Sequence, residues 1–238
     1  MEDRDRIVNH LESRLSQLDS FYAFWIEGSV PQGQADELSD LDLWISTDDD
    51  KIFTIYEQIE PILSEISPID FKYTFKKSGD LGHNVYHLQG MSQFLTIDIN
   101  TQGSSRSVYL TEGIDDAEII FDKRDVVKFQ RRQIAGVDLE IERDDLRGFY
   151  QQMRPNVIKN IRRGKALEAL SYYHQILARA TKFLRLRRGW AEKVDFDLKH
   201  VYRDLSENET AKLEYFYDKG LGDLENCLPE LEDWINAL

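Results

Sequence analysis

The chain has 238 residues, 41% hydrophobic, 31% charged and 11% aromatic, a composition that fits a folded globular protein and excludes a disordered or fibrous one. Its formal net charge of -14 opposes a phosphate polymer and favours small substrates over DNA or RNA. Cys227 is the only cysteine, so neither an intramolecular disulfide nor a cysteine-based metal site can form; the charged start MEDRDR and the lack of any bilayer-length apolar run lead us to expect a soluble, untargeted, cytoplasmic protein with no membrane partner.

Ile7, Leu11, Leu15 and Leu18 recur at helical spacing and predict an amphipathic helix over residues 3–19. The aromatic-rich run Phe21 to Ile26, ended by Gly28, reads as a buried strand entering a tight turn, and a second strand is expected at Leu41 to Ser46. Asp48 to Asp50 suit the start of a helix over residues 51–66 carrying Ile52, Ile55, Ile59 and Leu63, with Pro61 kinking it or lying near its end. Phe71 to Phe75 alternates like a half-exposed strand, while Asn84 to Leu88 and Phe94 to Asn100 read as a hairpin about Gln89-Gly90. Glu118 to Asp122 supplies the last strand before a charged, strand-free stretch. Beyond it the apolar residues Leu146, Phe149, Ala166, Leu167, Leu170, Ile176, Leu177, Ala180, Leu184, Leu213, Phe216, Leu231, Trp234 and Ile235 follow a helical pattern. The expectation is an α/β (α+β) chain: a mixed twisted sheet flanked by helices over residues 1–135, then a helical domain over 136–238.

One stretch, Gly28 to Asp42, has the makings of chemistry. Gly28 removes a side chain where a strand turns, and Ser29 sets a hydroxyl beside backbone N–H groups, a combination that can hold a phosphate oxygen. Asp40 and Asp42 stand two apart on the predicted strand, so both carboxylates project from one face while Leu41 and Leu43 turn to the core. Like charges held so close cost stability unless a cation lies between them, and Mg²⁺ takes oxygen ligands of this kind. In the run Phe94 to Asn100, alternation buries Leu95, Ile97 and Ile99 and leaves Thr96 and Asp98 on the other face. Asp98 is thus a third acid that could complete a two-ion clamp for in-line displacement at a nucleotide α-phosphate. An Asp-x-Asp pair alone is ordinarily a solvated strand face, and Gly-Ser alone a loop. Their union across ten intervening residues, strand before and strand after, with an apolar-flanked acid downstream, is specific.

These residues resemble the nucleotidyltransferase superfamily that includes DNA polymerase beta, and especially its small bacterial aminoglycoside-type and minimal members. Gly28, Ser29, Asp40 and Asp42 fill the Gly-Ser, ten residues, Asp-x-Asp motif; Gly33 matches a further loop glycine and Asp98 the strand-borne third acid. The stretch AEIIFDK looks like the family's last sheet strand, so the resemblance covers roughly residues 20–125. It implies that the Gly-Ser turn grips the phosphates of an NTP, with ATP expected, and that Asp40 and Asp42 ligate Mg²⁺. Asp98 would ligate a second Mg²⁺ or act as base. Together these imply transfer of AMP to an acceptor hydroxyl or phosphate with loss of pyrophosphate. Many minimal members carry Arg before the loop glycine; this chain has Gln32 there, after Pro31, which weakens the implied phosphate grip. An acidic chain suits a cationic small-molecule acceptor such as an aminoglycoside-like antibiotic, handled by a monomer or homodimer without nucleic acid. The alternatives are a protein acceptor, as in antitoxin-type minimal members, and a non-catalytic nucleotide-binding or interaction module.

Arg162, Arg163, Gly164, Lys165 and Glu168 read as the opening of the long apolar helix. Lys165 could neutralise the triphosphate and Glu168 could serve as the acceptor's general base, the plainer alternative being an exposed ion pair. Arg179, Lys182, Arg185, Arg187 and Arg188 form the one dense basic cluster; a solvated helix end complementing the dipole is favoured over a phosphate site. His83, His87, His174 and His200 lack metal-ligand spacing and read as ordinary polar residues, while Tyr172, Tyr173 and Trp190 read as core before base-stacking groups.

Overall fold

The computed structural model describes residues 2–75, 79–111, 114–131 and 136–238. The chain divides into two compact units, Met1–Arg132 and Gln133–Leu238; the expected end of the sheet domain near 135 lies outside the described residues.

The first unit is a mixed α/β assembly. It holds helices α1 (Glu2–Leu15) and α2 (Tyr56–Ile66) and strands β1 (Ala23–Glu27), β2 (Leu41–Thr47), β3 (Ile69–Thr74), β4 (Leu81–Leu88), β5 (Ile97–Gly103), β6 (Val108–Thr111), β7 (Glu118–Asp122) and β8 (Val127–Gln130). Six strands form one sheet in the order β3-β4-β5-β2-β1-β7. Only β2 and β5 run parallel; every other neighbouring pair is antiparallel. Alternation along the central strands gives the sheet two different faces. Phe24, Ile26, Leu43, Ile45, Ile97 and Ile99 are buried against Ile7, Leu11 and Leu15 of α1 and Ile59 and Leu63 of α2. Glu27, Asp42, Trp44 and Asp98 belong to the opposite face, where Trp25 and Trp44 stack at 5.7 Å. Fully burying side chains of this size contributes roughly 1.5–3 kcal/mol each, so the helix-covered face fixes which way the opposite face points.

Four expectations need correction here. The second helix begins at Tyr56, not residue 51, because residues 50–55 form successive turns. Asp48 gives its carboxylate to Lys51 Nζ at 2.6 Å and to the Tyr22 hydroxyl instead of to helix N–H groups. The hairpin about Gly90 turns there, but β5 starts only at Ile97, so the connection is longer than a two-residue turn. β3 is an edge strand exposed along nearly its whole length, not half-buried. The stretch after Asp122 is not strand-free: β8 pairs in parallel with β6, and Leu110, Val126 and Val127 cover Trp25.

The second unit is helical: α3 (Leu139–Arg162), α4 (Ala166–Arg187), α5 (Val201–Asp204), α6 (Glu207–Tyr217) and α7 (Leu224–Ala237), with a 3₁₀ turn at Ala191–Lys193. Its core joins Leu146, Tyr150 and Val157 of α3, Tyr173, Ile176 and Ala180 of α4, Phe216 of α6 and Leu228 and Leu231 of α7. Arg162 and Arg163 close α3 instead of opening the next helix. Gly164, at φ 68°, donates to Ile161 O at 2.9 Å and Lys165 N to Asn160 O at 2.8 Å, the paired bonds of a Schellman stop. Leu167, expected in the core, is 80% exposed in the first turn of α4.

The basic cluster is not one solvated helix end. Arg185 is fully buried, with Nε 3.1 Å from Asp204, while Arg179 pairs with Asp145 and both Arg187 and Arg188 reach Glu209 at 2.6 and 2.7 Å. Burial pushes the Glu209 carboxyl up, but hydrogen bonds from Ser206 and from Arg187 and Arg188 outweigh it and hold the group at about 2 against an ordinary 4.5. A carboxyl depressed on folding contributes stability above its unfolded pKa and loses it as pH falls towards the folded one. The stability gap between wild type and Glu209→Gln is therefore expected to be constant above about pH 5 and to shrink between 4.5 and about 2. Urea unfolding of the two proteins across that range checks it; a pH-independent gap would contradict the assignment.

Candidate functional site

The chemistry-bearing residues gather where β1 and β2 meet. Gly28 follows β1 with φ 79°, a conformation that favours glycine. A Cβ built there would overlap Asp42 Oδ2 and stand 3.1 Å from the Asp42 carboxyl carbon, so the missing side chain makes room for that carboxylate. Ser29 to Gly33 then form a compact loop: Gly33 N donates to Val30 O and Gln34 N to Ser29 O, both at 3.0 Å, with Gly33 at φ 65°. Asp36 shapes the return. Hydrogen bonds from the Ser39 hydroxyl and the Leu38 N–H lower its carboxyl below the ordinary value, and its carbonyl accepts from the buried Arg4 of α1.

That loop delivers Asp40 to the start of β2, and Asp42 follows as the strand's second residue. Parallel register sets Asp42 beside Asp98 on β5. One carboxylate oxygen from each of Asp40, Asp42 and Asp98 can be chosen so that all lie within 4.8 Å of one another. Two oxygens on opposite sides of a single Mg²⁺ stand roughly 4.2 Å apart, so side-chain rotation of under an ångström suffices to close this set on a cation. The donors are all hard oxygens, which suits Mg²⁺ and not a thiolate- or imidazole-seeking ion.

Two neighbours were not singled out from the sequence. Glu27 ends β1 directly opposite Asp42 and accepts from Trp25 Nε1 at 2.7 Å. Burial raises its carboxyl above the ordinary value, and the charge of Asp115 adds to this while the Trp25 and Trp44 indoles oppose it. The alternation of Ala23, Trp25 and Glu27 already set this acid on the face away from Phe24 and Ile26; only the strand register identifies its partner. His83 lies with Nε2 3.9 Å from Asp98 Oδ1, its ring stacked on Phe75 at 4.1 Å. It is thus not an ordinary surface histidine.

The structure therefore brings together Gly28, Asp40, Asp42 and Asp98, with Ser29 and Gly33 in the joining loop. Lys165 and Glu168 belong to the second unit, where they pair with each other at 3.0 Å, both about half exposed. Such a pair contributes roughly 0–1 kcal/mol. Tyr173 is core, its hydroxyl donating to Phe216 O, and Trp190 lies under Lys193 Nζ at 4.1 Å.

No protein-family model matches the chain, and no curated protein does. Among solved structures it is similar to a nucleotidyltransferase-like protein from Exiguobacterium sibiricum 255-15, at 14% identity and TM-score 0.31 over 95% of this chain and 74% of that one. A candidate nucleotidyltransferase from H. pylori is 12% identical with TM-score 0.30, covering 99% of this chain and 96% of that one. JHP933 from Helicobacter pylori is 14% identical with TM-score 0.31 over the same shares. At TM-scores this low the likeness assigns no activity to this chain.

Replacing Gly28 with alanine combines a left-handed backbone, costing about 1–2 kcal/mol for an L-residue, with displacement of the Asp42 carboxylate. The variant is expected to unfold at lower temperature and to lose Mg²⁺-induced stabilisation, both read by thermal unfolding with and without the ion. Retention of the full Mg²⁺ response would remove Gly28 from the site.

Proposed function

We propose that this chain is a Mg²⁺-dependent nucleotidyltransferase that transfers AMP from ATP to a small cationic acceptor and releases pyrophosphate. The observation that carries the reading is the convergence of Asp40, Asp42 and Asp98 beside the Gly28 turn that leaves Asp42 its space. Asp40 and Asp42 hold Mg²⁺, with Asp98 as a further ligand or as the proton acceptor. Bound there, Mg²⁺ offsets negative charge on the nucleotide phosphates. The Gly28-Ser29 turn orients the triphosphate through backbone N–H groups and the Ser29 hydroxyl, assisted by Gly33 in the loop. An acceptor oxygen bonds to the α-phosphorus as the bond to pyrophosphate breaks, and its proton passes to an Asp98 carboxylate oxygen and then to solvent. Lys165 and Glu168 are the second unit's candidates for contacts to phosphate and acceptor.

A net charge of -14 supports a cationic acceptor of the aminoglycoside kind. The test is pyrophosphate release on incubation with ATP and Mg²⁺ across aminoglycosides and lincosamides. Release with one of them identifies the acceptor class. Silence across the panel rejects the antibiotic acceptor, and labelling of protein from radioactive ATP would then favour a protein acceptor.

A further inference from the structure

The helix-covered face of the sheet is apolar except at the β3 edge, where a cavity of about 270 Å³ opens between α2 and strands β3 and β4. Gly82 keeps its inner wall bare: a Cβ there would overlap Thr101 Oγ1 and stand 2.9 Å from the Ile52 carbonyl. Asn84 lines the cavity and is 2% exposed. Its amide orientation follows from its neighbours. The single Tyr86 hydroxyl hydrogen goes to the Glu60 carboxylate at 3.0 Å, so that oxygen accepts from Asn84 Nδ2 at 2.7 Å. Asn84 Oδ1 is left as a buried acceptor with no donor, a state that costs about 1–3 kcal/mol unless something fills it. Glu57 adds an exposed carboxylate at the rim, and Phe53 and Phe75 supply aromatic walls. Lys72 is already engaged with Glu60 at 2.5 Å.

We propose that this cavity binds a small organic ammonium, its N–H groups directed to Asn84 Oδ1 and the Glu57 carboxylate and its charge against the aromatic walls. Acceptors exceed unengaged donors around the space, and rings beside carboxylates favour a cation over a neutral guest. Asn84 pairs with Ile99 on the helix-covered face, while the adjacent Asp98 points the other way, so the site is separate from the acid cluster. It does not depend on the nucleotidyltransferase reading.

The test is NMR titration of the full chain with 1,4-diaminobutane at constant ionic strength, with 1,4-butanediol as the neutral match. Expected are saturable shifts at the Gly82 amide and the Asn84 side-chain NH₂, roughly tenfold weaker binding in Glu57→Gln, and no response to the diol. Glu57 is exposed, so that variant keeps its fold; Asn84→Leu, if folded, should abolish the shifts. Absence of saturation at Gly82 and Asn84, equal binding by Glu57→Gln, or an equal response to the diol would each overturn the proposal and leave a water-filled cavity.

Discussion

Asp42→Asn is expected to lower nucleotidyl transfer by more than ~100-fold while leaving the metal-free protein at least as stable as wild type. Loss of an outer-shell partner alone typically costs ~10–100-fold in metal affinity or activity, and Asp42 would be a direct ligand. The stability half of the expectation has a separate origin. Three carboxylates within 4.8 Å repel one another, and an amide of the same shape removes one charge without opening a cavity. Thermal unfolding with and without Mg²⁺, beside pyrophosphate release, reads both effects. A variant that is stabilised by Mg²⁺ as much as wild type would remove Asp42 from the ligand set.

The largest effect on stability is expected in the second unit, at Asp204. Its carboxylate is fully buried between Arg185 Nε at 3.1 Å and Lys193 Nζ at 2.9 Å, and Arg185 also donates to the carbonyls of Asp197 and Lys199 at 2.6 and 2.5 Å. Asp204→Asn would strand two buried cations and is expected to cost about 3–5 kcal/mol in denaturant unfolding. Exchanging all three groups together, as Arg185→Met, Lys193→Met and Asp204→Leu, should cost far less, because no unpaired charge is left behind. Equal losses in the single and triple variants would contradict this account.

Much of the acid cluster was legible because it rests on short-range signals. Period-two alternation put Asp42 opposite Leu41 and Leu43, and Asp98 opposite Ile97 and Ile99, and Gly28 marked the turn. What escaped depends on register and on contacts distant in sequence. Glu27 becomes a neighbour of Asp42 only once β1 and β2 are aligned, and His83 reaches Asp98 only through the pairing of β4 with β5. Arg185 looked like Arg187 and Arg188 in a run of cations, yet it turns inward towards Asp204 and Lys193, which come from elements the run does not contain. β6 and β8 are four residues each, too short for alternation to be read against their charged surroundings. The early end of Asp48 to Asp50 as a helix start reflects side-chain competition, since Asp48 bonds Lys51 and Tyr22 instead of free helix N–H groups.

The most direct measurement is calorimetric titration of wild type and the Asp40→Asn/Asp42→Asn double variant with ATP, GTP, CTP and UTP, each with and without Mg²⁺. Saturable binding of at least one nucleotide by wild type, dependent on Mg²⁺ and lost in the double variant, is the predicted result. Binding unchanged by the ion or by the double substitution, or no binding of any nucleotide by wild type, would contradict the assignment of Asp40, Asp42 and Asp98 to nucleotidyl transfer.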